Sequence, residues 1–269
     1  MNRSRNPAVA GQFYPGTARE LDRVVRLYTR DTAEKLRARG IVVPHAGYVY
    51  SAGVAGEVFS TVTIPDRNII FCPNHTGVGG NAAVMSQGAW RMPWGEAPID
   101  EELAGRLLAE SPLFSEDASA HRGEHSLEVQ LPFLRRFREA FRFVPVALGH
   151  LSLPDCRMLG EAVARVAATE PQPPLLIASS DMSHYEPDAL ARKKDGAAID
   201  RMLALDPEGL HRVVRSERIS MCGVNPATVV LFASLALGAT SALLIKYSTS
   251  GDVSGDREQV VGYAGLAFL

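Results

Sequence analysis

The sequence predicts an α/β fold: one domain over residues 1–269, with a central mainly parallel or mixed sheet flanked by helices. Three observations carry this. Short β-branched runs alternate along the chain with stretches of helical periodicity. Those runs are apolar throughout, as strands covered on both faces are. No Pro/Gly/Ser-rich linker, repeat or low-complexity tract divides the chain, and 269 residues can bury a core without disulfide or metal staples.

Taken in chain order, Met1 to Pro7 carries charge with no apolar run behind it, which argues against a secretion signal. Thr17-Ala18-Arg19-Glu20 has the form of a capping box, and Leu21, Val24, Val25 and Tyr28 follow at helical spacing. Strands are expected at 41–43, 69–71, 143–144, 175–177 and 243–245. Residues 82–98 lack a helical pattern and read as an antiparallel hairpin. Helices are expected at 101–110, 127–137, 156–168, 189–205 and 227–237. The last is the longest apolar stretch and is well short of the roughly 20 residues that span a bilayer. A cytoplasmic protein with reduced thiols is expected.

Composition narrows the function. The 28 Lys+Arg against 30 Asp+Glu leave no basic excess for a nucleic-acid partner. The three cysteines, Cys72, Cys156 and Cys222, lie far apart and form no C-x-x-C pair, which excludes a disulfide framework or zinc knuckle. Nucleophile-elbow, phosphate-loop and dinucleotide-binding motifs are missing.

The informative pattern is positional. Ile41-Val42-Val43 runs into Pro44-His45-Ala46-Gly47-Tyr48, and Ile69-Ile70-Phe71-Cys72 runs into Pro73-Asn74-His75-Thr76-Gly77. Leu175-Leu176-Ile177-Ala178 likewise runs into Ser179-Ser180-Asp181-Met182-Ser183-His184. Ligands of open α/β sheets bind beyond the carboxyl ends of the strands. If these strands are parallel neighbours, His45, His75 and His184 converge there. Pro44 and Pro73 would end the pairing, and Gly47 and Gly77 would let the chain turn. A solvated loop or capping role explains one such His, but explains three at matched strand ends poorly. Imidazole is the commonest metal ligand and needs an acceptor to fix its tautomer. Asp181 is placed to serve His184 or to be a ligand.

Cys222 is the candidate anionic ligand. Asn225 reads as an N-cap and Pro226 as the first residue of the following helix, whose dipole would lower the thiol pKa. Burial as a small hydrophobe is an equal reading for Cys222, and the preferred one for Cys72 and Cys156. A second constellation is Gly123-Glu124-His125-Ser126-Leu127-Glu128, where a helix begins. Glu124, His125 and Glu128 there would support the site or bind substrate, with Glu124, His125 and Tyr48 assigned to substrate; capping by Ser126 and a dipole-facing charge at Glu128 are the alternatives. His121, His150 and His211 read as structural, and Trp90 and Trp94 as packing. The hydroxyl-rich residues 248–256 read as a crevice wall or a surface loop.

At these residues the chain resembles the Memo-like family, also called AmmeMemoRadiSam system protein B. The resemblance runs from Pro7-Ala8-Val9-Ala10-Gly11-Gln12-Phe13-Tyr14-Pro15 through the motifs above to Cys222-Gly223 and Val261-Gly262-Tyr263-Ala264. It implies a fold related to class III extradiol dioxygenases, which hold Fe(II) with two His and a carboxylate. By that resemblance His45, His75 and Cys222 match the metal site, and Asp181 and His184 match further site residues. Cys in place of the carboxylate means that ring cleavage does not follow from the fold. The family name also implies AMMECR-type and radical SAM partner proteins.

The leading expectation is a metal-dependent redox protein. His45, His75 and Cys222 would hold Fe(II) or copper rather than zinc, and His184, oriented by Asp181, would act as general acid/base. The rivals are a non-catalytic peptide or small-ligand binding protein using the same crevice, and a zinc hydrolase.

Overall fold

The apolar runs of the sequence become the parallel centre of a mixed sheet. The computed structural model describes residues 4–269, so Met1 to Arg3, part of the start read above, lie outside the described residues. The first half of the chain forms β1 (Ser4–Arg5), α1 (Ala18–Tyr28), β2 (Gly40–Val43), α2 (Tyr48–Thr61), β3 (Arg67–Pro73), β4 (Ala82–Val84), β5 (Ala89–Met92), β6 (Gly95–Pro98), α3 (Glu101–Glu110) and β7 (Ser115–Glu116). Two 3-10 turns, Ala118–His121 and Glu128–Gln130, lead into α4 (Leu131–Phe137). The rest forms β8 (Arg142–Leu148), α5 (Leu153–Ala168), β9 (Leu175–Ser179), β10 (His184–Glu186), α6 (Asp188–Leu203), α7 (Pro207–Ser216), α8 (Val224–Ala236), β11 (Ala242–Thr249), α9 (Gly251–Ser254) and β12 (Val260–Phe268).

The large sheet runs β10-β12-β2-β9-β3-β8-β4-β7, with β11 also on β12. Its centre, β2-β9-β3-β8, is parallel. β12 is antiparallel to β2, β10 and β11, and β4 is antiparallel to β8, so the single α/β domain has a mixed sheet. β1, β5 and β6 make a separate small sheet that contains the hairpin expected within 82–98.

Because side chains alternate across a strand, the apolar runs feed both faces. Val42, Ile69, Phe71, Leu176 and Ala178 join the core under α3, α5 and α8. Ile41, Val43, Ile70, Cys72 and Ile177 join the opposite core with residues of α1, α2 and α4. Each fully buried Val, Ile, Leu or Phe contributes roughly 1.5–3 kcal/mol. Cys72 and Cys156 are buried in these cores, as expected of small hydrophobes.

Several local expectations are corrected. Thr17 precedes α1, but its side chain caps nothing and Glu20 pairs with Arg23 instead. α8 begins at Val224 after Gly223, so Asn225 and Pro226 sit inside its first turn. Pro73 does not end the pairing of β3, since it opposes Leu148. Gly77 uses the left-handed region, at φ +66°, whereas Gly47 does not, at φ −54°. Residues 251–254 form α9, and Arg192 and Arg257 hold its Asp252 at the surface. No helix among the described residues is long and apolar enough to cross a membrane.

Candidate functional site

β2, β9 and β3 are adjacent and parallel, so their carboxyl ends deliver His45, Ser179 to Asp181, and His75 to one crevice. The Glu124–His125 segment, just before the 3-10 turn that opens α4, supplies a third imidazole. Ring centroids lie 5.3 Å apart for His45 and His75, 5.6 Å for His45 and His125, and 5.0 Å for His75 and His125. One ring nitrogen from each of the three falls within 4.8 Å of the other two.

The hydrogen bonds fix how two of these rings present themselves. The Ser179 hydroxyl donates to the Ser126 carbonyl (2.7 Å) and accepts from the Gln130 amide (3.0 Å). Its one proton is therefore spent, and at 2.9 Å from His45 Nδ1 it accepts an Nδ1–H. That tautomer leaves a lone pair on His45 Nε2. His75 donates its backbone N–H to Glu124 (2.7 Å) and its Nδ1–H to the same carboxylate (3.0 Å), which frees Nε2 there too. A carboxylate or hydroxyl behind the distal nitrogen is the arrangement that orients metal-binding histidines. His125 packs edge-on against Phe13, with its Nδ1 3.6 Å from Glu124.

Electrostatics follow from burial. Desolvation, reinforced by His75 and His125, pushes the buried His45 well below its usual pKa and so keeps it neutral. Burial opposes charge on Glu124, but bonds from His75 and Ser126 prevail and hold its pKa at about 2. Burial also opposes charge on His75, and Glu124 outweighs it, so the His75 pKa is raised. Burial lifts Asp181 to about 6, against the bond it accepts from the His45 N–H (2.7 Å).

Cys222 Sγ lies 3.2 Å from His45 Nε2, beside the three-histidine group and outside it. Gly223 makes this approach possible, since a Cβ there would fall 2.4 Å from the Ser179 carbonyl oxygen and from Ser180 Cβ. The dipole does not activate the thiol as expected: burial and Asp181 push its pKa up. His184 is partly buried, and Asp181 does not orient it. Its Nδ1 lies 3.0 Å from the Ser220 carbonyl, which accepts the Nδ1–H, and its N–H donates to Ser220 Oγ (2.7 Å). The charge of His184 still bears on His45 and Asp181.

The residues assigned to substrate from sequence fare differently. His125 stands with His45 and His75. Both oxygens of the fully buried Glu124 accept bonds from His75 and Ser126, which makes it a support of the cluster. Tyr48 is in the core, 3% exposed, with its hydroxyl donating to the Val129 carbonyl (2.7 Å). Sequence reasoning missed Ser179, Gln130 and Ser220, although Ser179 sits at a strand end already marked. Of the two readings of Glu128, a charge facing the helix dipole does not hold, since it is a buried hub. Arg5 pairs with Glu128 and donates to the carbonyls of His121 and Glu124 (2.6 Å each). Ala8 N–H (2.7 Å), Val9 N–H (3.1 Å) and the Tyr14 hydroxyl (2.5 Å) donate to the same Glu128 carboxylate. Arg5 also lies 3.9 Å from the centre of the buried Trp90 ring.

Residues 5–267 match the family model described as Memo-like protein. A MEMO1 family protein of Methanopyrus kandleri is 43% identical over 98% of both chains. One of Aquifex aeolicus is 42% identical over 99% of this chain and 100% of its own, and one of Methanothermobacter thermautotrophicus is 40% identical over 98% and 99%. The chain belongs to the Memo-like family.

Proposed function

From that membership we propose a metal-binding redox protein in which His45, His75 and His125 hold iron or copper, with Cys222 as the thiol donor next to His45. The observation that supports this most is the pair of imidazoles with Nδ1 tied back, to Ser179 and to Glu124, so that each presents an Nε2 lone pair. Imidazole with a neighbouring thiol suits iron, copper and zinc, and the softness of sulfur favours a redox ion over a hard one. A bound iron or copper would supply a Lewis acid and an electron-transfer centre for O₂-dependent oxidation of a substrate.

The chain's own residues do the rest. Ser179 and Glu124 hold the His45 and His75 rings. With its Nδ1–H fixed by Ser220, His184 exchanges a proton with a ligand at Nε2. The Cys222 thiol has the His45 Nε2 and the Asp181 carbonyl oxygen within reach as hydrogen-bond acceptors. We place the protein in the cytoplasm and propose AMMECR-type and radical SAM proteins as partners, which reciprocal affinity capture would test.

Metal analysis and spectroscopy on anaerobically purified protein test the central reading. We expect iron or copper in wild type and its loss in the His45→Ala, His75→Ala double variant. Full metal occupancy in that variant would overturn the assignment. Turnover sustained by zinc without O₂ consumption would favour hydrolysis, and ligand binding without turnover or metal dependence would favour a binding protein.

A further inference from the structure

A cavity of about 430 Å³ opens directly beside the cluster. Its lining includes His75 and Cys222 of the site together with Asn81, His150 and Arg215. The start of α8, from Val224 to Pro226, and the ends of β3 and β8 also line it. That volume is within the range of small-molecule pockets.

Two features decide what it accepts. Its lining contains an arginine and two histidines and no Asp or Glu. Arg215, in the last turn of α7, is exposed and makes no ion pair among the described residues; its one bond is a long one, 3.4 Å, to the Leu151 carbonyl. Most of the guanidinium fork is therefore free to be spent on a ligand. The start of α8, which no side chain caps, adds a smaller favourable field for negative charge. A lone guanidinium supplies one charge in a planar fork, which matches a carboxylate in both respects.

We propose that this cavity binds a small organic acid, with Arg215 as the residue that selects its carboxylate and the remainder of the molecule directed toward His75 and Cys222. The inference rests on the cluster being the reacting site, and it names the substrate class of that site.

The test measures binding of benzoate, benzamide and phenyl phosphate by ligand-observed NMR, in chelator-stripped protein and in the His45→Ala, His75→Ala variant. Benzoate is expected to bind wild type about tenfold or more tightly than benzamide, the value of a hydrogen-bonded charge. Arg215→Met should lose that factor, Arg215→Lys part of it, and Arg91→Met, on the small sheet, none. Equal binding of benzoate and benzamide, or no effect of Arg215→Met, would overturn the proposal. So would phenyl phosphate binding more tightly than benzoate. Anion binding here needs no metal. Its failure with metal occupancy intact therefore overturns only this inference, whereas lost metal binding with anion selection intact overturns only the redox reading.

Discussion

Replacing Arg5 by Met tests whether the buried hub behind the histidines holds the fold together. Arg5 and Glu128 have side-chain exposures of 4% and 0%, so neither charge is hydrated. Removing the guanidinium strands the carboxylate and leaves the carbonyls of His121 and Glu124 without this donor. Breaking a buried pair from one side costs about 3–5 kcal/mol. For 269 residues that corresponds to a drop of about 5–9 °C in Tm. Three donors to Glu128 survive, from Ala8, Val9 and Tyr14, which places the expected loss nearer the lower figure. Urea unfolding gives the free energy directly. Glu128→Gln removes the stranded charge and keeps one oxygen for Val9 and Tyr14 at the cost of the Ala8 N–H bond, so the double variant is expected to regain about 1 kcal/mol over Arg5→Met alone. A loss under about 1 kcal/mol for Arg5→Met, the size of an exposed pair, would refute the reasoning.

Three further predictions follow from the site and its surroundings. His121 is fully buried with Nε2–H donating to the Ala83 carbonyl, and burial lowers its pKa to about 4. The unfolded chain then binds the proton more readily, so this stability is complete above pH 6.5 and is lost as pH falls toward 4. His121→Gln should flatten the pH dependence of urea unfolding by about 2 kcal/mol between pH 7 and 5, and an unchanged slope would contradict the assignment. Glu124→Gln, which weakens the hold on His75, should reduce metal affinity by about 10–100-fold in a competition titration against a chromophoric chelator; wild-type affinity would show that Glu124 does not orient the ring. Gly223→Ala forces a Cβ to 2.4 Å from the Ser179 oxygen and should cost about 1–3 kcal/mol in thermal unfolding, while a neutral result would mean that the α8 start is free to shift.

The parallel centre of the sheet was legible because β2, β3 and β9 are short apolar runs that each lead to a histidine or aspartate. The same reasoning marked His45 and His75, whose neighbours in the chain set their position. What decides the rest is contact between distant segments. Arg5 and Glu128 are far apart in sequence, and nothing local distinguishes Glu128 from a surface charge on a helix start. His125 was noticed but given a different place, because only the fold brings its segment against β2 and β3. α2 escaped detection because it is buried on most sides and so has no polar stripe to set a helical period. Asp181 was paired with its sequence neighbour His184, whereas Asp181 meets the His45 N–H and His184 is held by Ser220.

The antiparallel pairing of β12 with β2 has a consequence for how the protein is made. β2, the strand that leads to His45, takes one neighbour from β9 and the other from the segment running to Phe268. On the ribosome, β12 emerges after every other strand of the sheet, so the edge of β2 facing it stays open until all of them have been made. Such an edge is a template for wrong pairing, and contacts spanning most of a chain form slowly. Closing that edge therefore waits for the last strand of the sheet, and nascent chains stalled before β12 should be the species that chaperones hold.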